Sequence, residues 1–367
     1  MKTFLLIVRW TVGLLFIFSG LVKANDPLGL SYKMQEFFEV WNMHFLNDYT
    51  LAFALVMNVF EIVAGVAVII GWRMKLFSWL LLLLIIFFTF LTGYALFSGK
   101  IKTCGCFGDC LPLTPAQSFG KDIFLLVLIL ILFFAANKIK SAVKPAGAMV
   151  LLLLATVGTS YGQYYVLQHL PFVDCLPYKK GNDLLEQMKT PANAIPDSFS
   201  IVFTYKRQGK QLEFDQANFP ADFDSTYEYV DRKDKLVRKG NGLTAKITDF
   251  SLQTISGVDT TAAVLATPGK YLLLLIKDFD HTEAWLSGFD KVKAAAAQKN
   301  LPILVVTADA DRAQSVLPGF SILKCDATVL KTAARVTPTY VMMQAATVLS
   351  KTSYVDAEKL LQQIKTQ

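Results

Sequence analysis

Five long apolar runs occupy the first half of the chain, at residues 4–22, 51–71, 76–97, 123–136 and 146–166. A hydrocarbon core of ~30 Å takes about 20 helical residues, so each run reads as a membrane span. The fourth is short and draws residues 119–122 in at its membrane edge. Arg9 and Trp10 interrupt the first run and four more follow, which favours a retained span over a cleaved leader. The pattern then changes. Residues 200–205 and 211–214 alternate across a turn with Gly209 and predict a β-hairpin, and 226–230 with 235–238 predict a second. From Tyr271 onward strands (271–277, 302–307, 320–324, 339–343, 348–354) alternate with helices (282–298, 311–317, 356–364).

Composition supports this division. Hydrophobic residues make up 53% and charged residues 18% of the 367 positions, and mean hydropathy is +0.42. Residues 1–169 carry 12 Lys/Arg and 7 Asp/Glu, against 24 and 22 in the remainder. The net charge of +7 is diffuse and no basic run interleaves with aromatics, so nucleic acid is excluded as a partner. The lipid bilayer is the first partner expected. One set of short loops carries Lys2, Arg73, Lys75, Lys138, Lys140 and Lys144 with no acid. This bias places the N-terminus in the cytoplasm and everything past about residue 168 in the periplasm, with the chain in the inner membrane.

Candidate chemistry concentrates in Lys102-Thr-Cys-Gly-Cys-Phe-Gly-Asp-Cys110, between the third and fourth spans. Three thiols in seven residues, with glycines that permit tight turns, can form a disulfide, exchange disulfides or bind a soft metal. Zinc usually takes four Cys or His ligands; this loop offers three thiols and no His, so no metal is assigned. Lys100 and Lys102 favour thiolate, the reactive form. The structural alternative is a clamp between Cys110 and either Cys104 or Cys106. Cys175 lies just past the fifth span, on the same side as the loop. Cys325 reads as a buried small apolar residue. Glu61, inside the second span, must face the bundle interior: either a proton or substrate site, partnered by Ser19 or Lys23, or a structural hydrogen bond to a group such as Asn58.

Phe16-Ile-Phe-Ser-Gly-Leu-Val-Lys23 and Glu61-Ile-Val-Ala-Gly-Val-Ala-Val-Ile-Ile-Gly71 resemble DoxX-type membrane proteins, and Cys104-Gly-Cys-Phe-Gly108 is similar to the related MauE. The resemblance spans about residues 4–138 and implies a four-helix membrane bundle. It also implies a part in disulfide formation during maturation of exported proteins. Val336-Thr-Pro-Thr-Tyr340 and the strand–helix order resemble thioredoxin-like domains, which implies a cis bond before Pro338 beside the family's active site. That active site needs two thiols, and Asp278-Phe-Asp-His-Thr-Glu-Ala-Trp285 supplies none.

The expected architecture is an α-helical membrane bundle (residues 1–140, a DoxX/MauE-like four-helix core), a fifth span (141–169), a β-rich periplasmic connector (170–267) and a redox-inactive α/β thioredoxin-like domain (268–367). The expected function is thiol–disulfide support for exported envelope proteins, with Cys104, Cys106 and Cys110 as the redox set. No cofactor motif is present; a quinone is the acceptor class that a membrane bundle admits. Two rivals are a non-enzymatic scaffold docking envelope partners through the C-terminal domain, and a transporter, for which a chain without repeats offers little.

Overall fold

The computed structural model describes residues 2–101, 105, 107–196, 198–238 and 240–366. They form two compact units, one of residues 1–181 with 251–367 and one of residues 182–250.

The first unit opens with α1 (Lys2–Asn25), α2 (Pro27–Val40), α3 (Thr50–Ile70), α4 (Met74–Ser98), α5 (Pro115–Ala135) and α6 (Pro145–His169). All but α2 are long and apolar enough to cross a membrane. This is a multi-pass membrane protein. α1 and α3 pack closely because small residues meet: a Cβ on Gly13 would lie 2.8 Å from the Gly65 carbonyl oxygen. Arg9, an interruption in the sequence pattern, is buried and donates to the Val68 and Ile69 carbonyls at the end of α3. The guanidinium thus partners the Ile69 carbonyl at the helix end and shares the Val68 carbonyl with the Gly71 N–H. α5 begins about two turns before its uncharged run. Thr114 and Gln117 form a capping box there and Pro115 takes the first helical position.

The same unit closes with α8 (Thr261–Leu265) and a mixed sheet with its helices. Within 182–250 the second unit holds α7 (Leu184–Met188) and strands β1 (Ser198–Arg207), β2 (Lys210–Phe214) and β3 (Glu228–Arg238), ordered β2-β1-β3 and antiparallel. The first expected hairpin is β1–β2. The second is not a hairpin: residues 228–238 run on as one strand, pairing β1 from Ser198↔Arg238 to Lys206↔Glu228. The charges at 231–235 are exposed on an edge strand, where they stay hydrated and break nothing.

The mixed sheet comprises β4 (Lys270–Ile276), β5 (Ile303–Thr307), β6 (Ser321–Lys324), β7 (Thr339–Gln344) and β8 (Thr347–Ser353), ordered β6-β5-β4-β7-β8. β4, β5 and β6 are parallel, and β7 and β8 antiparallel. α9 (Leu286–Gln298), α10 (Ala310–Val316), α11 (Ala327–Ala333) and α12 (Ala357–Lys365) accompany it. β4 is buried from Tyr271 to Ile276, as a central strand covered on both faces must be. Leu360, Leu361 and Ile364 put the apolar stripe of α12 into this core, each side chain contributing about 1.5–3 kcal/mol. The Thr337–Pro338 peptide bond is cis.

Candidate functional site

The helices enclose an apolar cavity of about 770 Å³. α1 supplies Phe16, Ser19 and Lys23, α2 Met34, Phe37 and Phe38, α3 Phe53, Val56 and Phe60, and α4 Phe88 and Thr92. α5 adds Lys121 and Leu125, and the cysteine loop reaches the wall with Gly105 and Phe107. Val56 is 69% exposed and Phe53 and Phe87 are also exposed, so the cavity opens through the lipid-facing side of the bundle.

Among the described residues three lysines line this space, and each sits against its own carboxylate. Lys23 pairs with Glu61, both almost fully buried. Lys33 Nζ lies 2.7 Å from Glu36, and Lys121 Nζ 2.6 Å from Asp122. Asp122 also accepts from the Thr92 hydroxyl at 3.0 Å. The Lys23 ammonium is 5.1 Å from the Phe88 ring centre, and Lys121 is 5.2 Å from that of Phe107. Charge is therefore present but internally cancelled. Glu61 engages Lys23, while Asn58 donates to Gln163 of α6 instead. Ser19 stands on the same wall as Lys23.

Cys104 and Cys106 lie outside the described residues; Gly105, which joins them in the chain, is on the cavity wall with φ +67°. A Cβ there would come 3.1 Å from the Lys33 side chain, so this position needs glycine for both conformation and space. The loop is anchored by Phe107, whose ring centre is 5.6 Å from that of Phe18.

Cys110 forms a disulfide with Cys175, their Cα atoms 4.8 Å apart. This corrects the expected clamp within the loop between Cys110 and Cys104 or Cys106. The reason is tertiary: α6 returns the chain to the end of the bundle where the loop sits, and Asn25 holds Val173 there through two hydrogen bonds of 2.9 and 3.0 Å. Both half-cystines are half-buried. Cys325 is buried at the end of β6.

The C-terminal sheet meets the bundle at this same place. Arg335, three residues before Pro338 and only 4% exposed, donates to Asp26 at 2.8 Å and to Asp109, the neighbour of Cys110, at 2.8 Å. Its guanidinium also stands 5.5 Å from the Tyr32 ring centre. Lys351 of β8 reaches Asp174 at 3.0 Å, and Asp356 meets His169 Nδ1 at 2.9 Å. Burial pushes the Tyr32 hydroxyl up to about 12. Burial also lowers Lys277, at the end of β4, to about 8; its ammonium donates to the Arg335 carbonyl at 2.7 Å. Residues 278–285 hold no cysteine. Pro338 itself is buried.

Sequence reasoning missed α2 and the Arg335 contacts; it placed Cys175 on the side of the loop without deciding its partner. A signal for α2 exists: Asp26-Pro27 is a cap followed by proline in the first turn, and Asp26 accepts from the Gly29 amide.

Residues 1–135 match the family described as Methylamine utilisation protein MauE. The bundle is MauE-like. A second match, to a family described as a domain of unknown function (DUF8463), covers residues 199–239. "Protein TlpB" of Flavobacterium psychrophilum is 26% identical over 134 residues, 36% of each chain. The alignment thus spans about a third of that relative's length. No solved structure matches. The MauE-like region contains the cysteine loop, the Lys23–Glu61 pair and most of the cavity wall, and Cys175 lies beyond it.

Proposed function

We propose that this protein supports thiol–disulfide maturation of exported envelope proteins, with its C-terminal regions on the periplasmic face of the inner membrane. One observation carries the reading. The Cys110–Cys175 disulfide couples the loop bearing Cys104-Gly105-Cys106, on a lipid-open cavity, to the segment that leads out of the bundle. That is the layout of an exchange relay between a soluble client and the membrane. A client thiolate attacks one sulfur of the Cys110–Cys175 bond, and the other sulfur leaves as a thiolate. A second client thiol then resolves the mixed disulfide, so the client is oxidised and the pair reduced. Exchange with a Cys104–Cys106 disulfide re-oxidises Cys110 and Cys175 and leaves the loop dithiol to be oxidised by a lipid-soluble two-electron acceptor.

The C-terminal part reads as a thioredoxin-like domain without a thiol pair at residues 278–285, from its strand order. It serves this reading as a positioning body. The surface by which such a domain would dock partners is engaged by Asp26, Tyr32 and Asp109, which weighs against the scaffold reading. The test is the rate at which exported client thiols become oxidised in cells carrying Cys104→Ser/Cys106→Ser/Cys110→Ser. Oxidation should slow at least tenfold. A wild-type rate in that variant rejects the redox role and leaves the scaffold.

A further inference from the structure

We infer that the cavity is the binding site for one molecule of a neutral, quinone-class two-electron acceptor, entering from the lipid. The inference rests on the thiol–disulfide reading for its purpose and on the cavity for its evidence.

Size and access come first. About 770 Å³ lies within the range of small-molecule pockets, roughly 300–1,000 Å³, and exceeds what a packing defect leaves. The wall between exposed Phe53 and Val56 opens to the side, where a lipid-soluble molecule arrives.

The lining then selects the chemistry. Aromatic rings such as Phe37, Trp41 and Phe88 offer faces for stacking on a planar ring. An acyl chain has no use for buried lysines, yet Lys23 and Lys121 are on the wall. An anionic head group would use their charge, but Glu61 and Asp122 already cancel it. A neutral ring with carbonyl oxygens answers both facts: it accepts hydrogen bonds from ammonium groups and adds no charge to a neutral, water-poor space. Gly105 is on the same wall, and Cys104 and Cys106 flank it in the chain.

The balance closes. As the S–S bond forms between Cys104 and Cys106, two thiols release two electrons and two protons. Both pass to the ring, whose two carbonyl oxygens become hydroxyls.

The test uses the full chain in detergent micelles and a short-chain benzoquinone, with binding measured by equilibrium dialysis. Saturable binding of about one molecule per chain is expected. Val56→Trp, at a mostly exposed position that tolerates bulk, should weaken it at least tenfold with the melting temperature unchanged. Ala52→Trp does the same from a second position on the wall. Binding is read on the wild-type chain with no client present, so it fails or succeeds independently of client oxidation. Absence of saturable binding overturns the proposal. So does binding that both tryptophan variants leave intact, or displacement of the benzoquinone by palmitate at equal or lower concentration, which would mark a fatty-acid site.

Discussion

Lys23 and Glu61 show what one residue pair does at membrane depth. Each charge alone is costly in an apolar interior; together they are tolerated because neither faces lipid. Glu61→Leu or Lys23→Met leaves one charge buried without its partner, and should lower stability by about 3–5 kcal/mol. The double variant should recover most of that loss, because two apolar side chains of similar volume replace the pair. Chemical unfolding in micelles reads both. A double variant as unstable as the singles would show that Lys23 and Glu61 act separately. Lys277 gives a pH signature outside the membrane. Burial lowers its value from 10.5 to about 8, so between those limits the unfolded chain holds a proton that the folded chain has lost. Stability from this group therefore rises with pH from about 8 to 10.5 and is flat below. Thermal melts of Lys277→Met against wild type should differ by that rise alone.

At the scale of elements, the link between bundle and C-terminal sheet depends on few groups. Arg335 bonds Asp26 at the start of α2 and Asp109 beside Cys110, while Tyr32 covers its plane. Arg335→Ala removes both ion pairs and leaves Asp26 largely buried without its cation, a change worth about 2–5 kcal/mol at comparable contacts. Hydrogen exchange should quicken together in α2 and in residues 331–339, with the interior of the sheet unchanged. Exchange that quickens on one side alone would show that the contact does not couple them. Sequence pattern caught the strands of the sheet and α9, α10 and α12 to within a few residues, because its periods of two and 3.6 are local; α11, a helix of seven residues, escaped it. It missed α2, half-exposed and only weakly amphipathic. It also split β3 at 231–234, where charge mimics a turn until a partner strand is known.

For the whole molecule, the decisive quantity is orientation. The acid-free loops bearing Arg73, Lys75, Lys138, Lys140 and Lys144 predict a cytoplasmic N-terminus. With five spans, that orientation predicts a periplasmic C-terminus. A periplasm-dependent phosphatase fused after Gln367 should be active and a cytoplasm-dependent fluorescent reporter silent; the reverse pattern would remove the route by which exported clients reach Cys110–Cys175. Orientation also bears on the disulfide, which persists only in an oxidising compartment.

What the sequence determined by itself was everything set by local pattern: five spans of sufficient length, the change to a charged second half, the first hairpin, the sheet and its order along the chain, and a glycine-spaced cysteine cluster. Each rests on periodicity, length or residue chemistry within a short window. Tertiary structure decided the rest. Cys110 pairs with a residue 65 positions away, Glu61 with Lys23 across α1 and α3, and Arg335 with Asp26 from opposite ends of the chain. The cavity exists only because five helices and a loop leave space between them. Pairings between distant segments depend on where folding brings the backbone, and no local pattern encodes that distance.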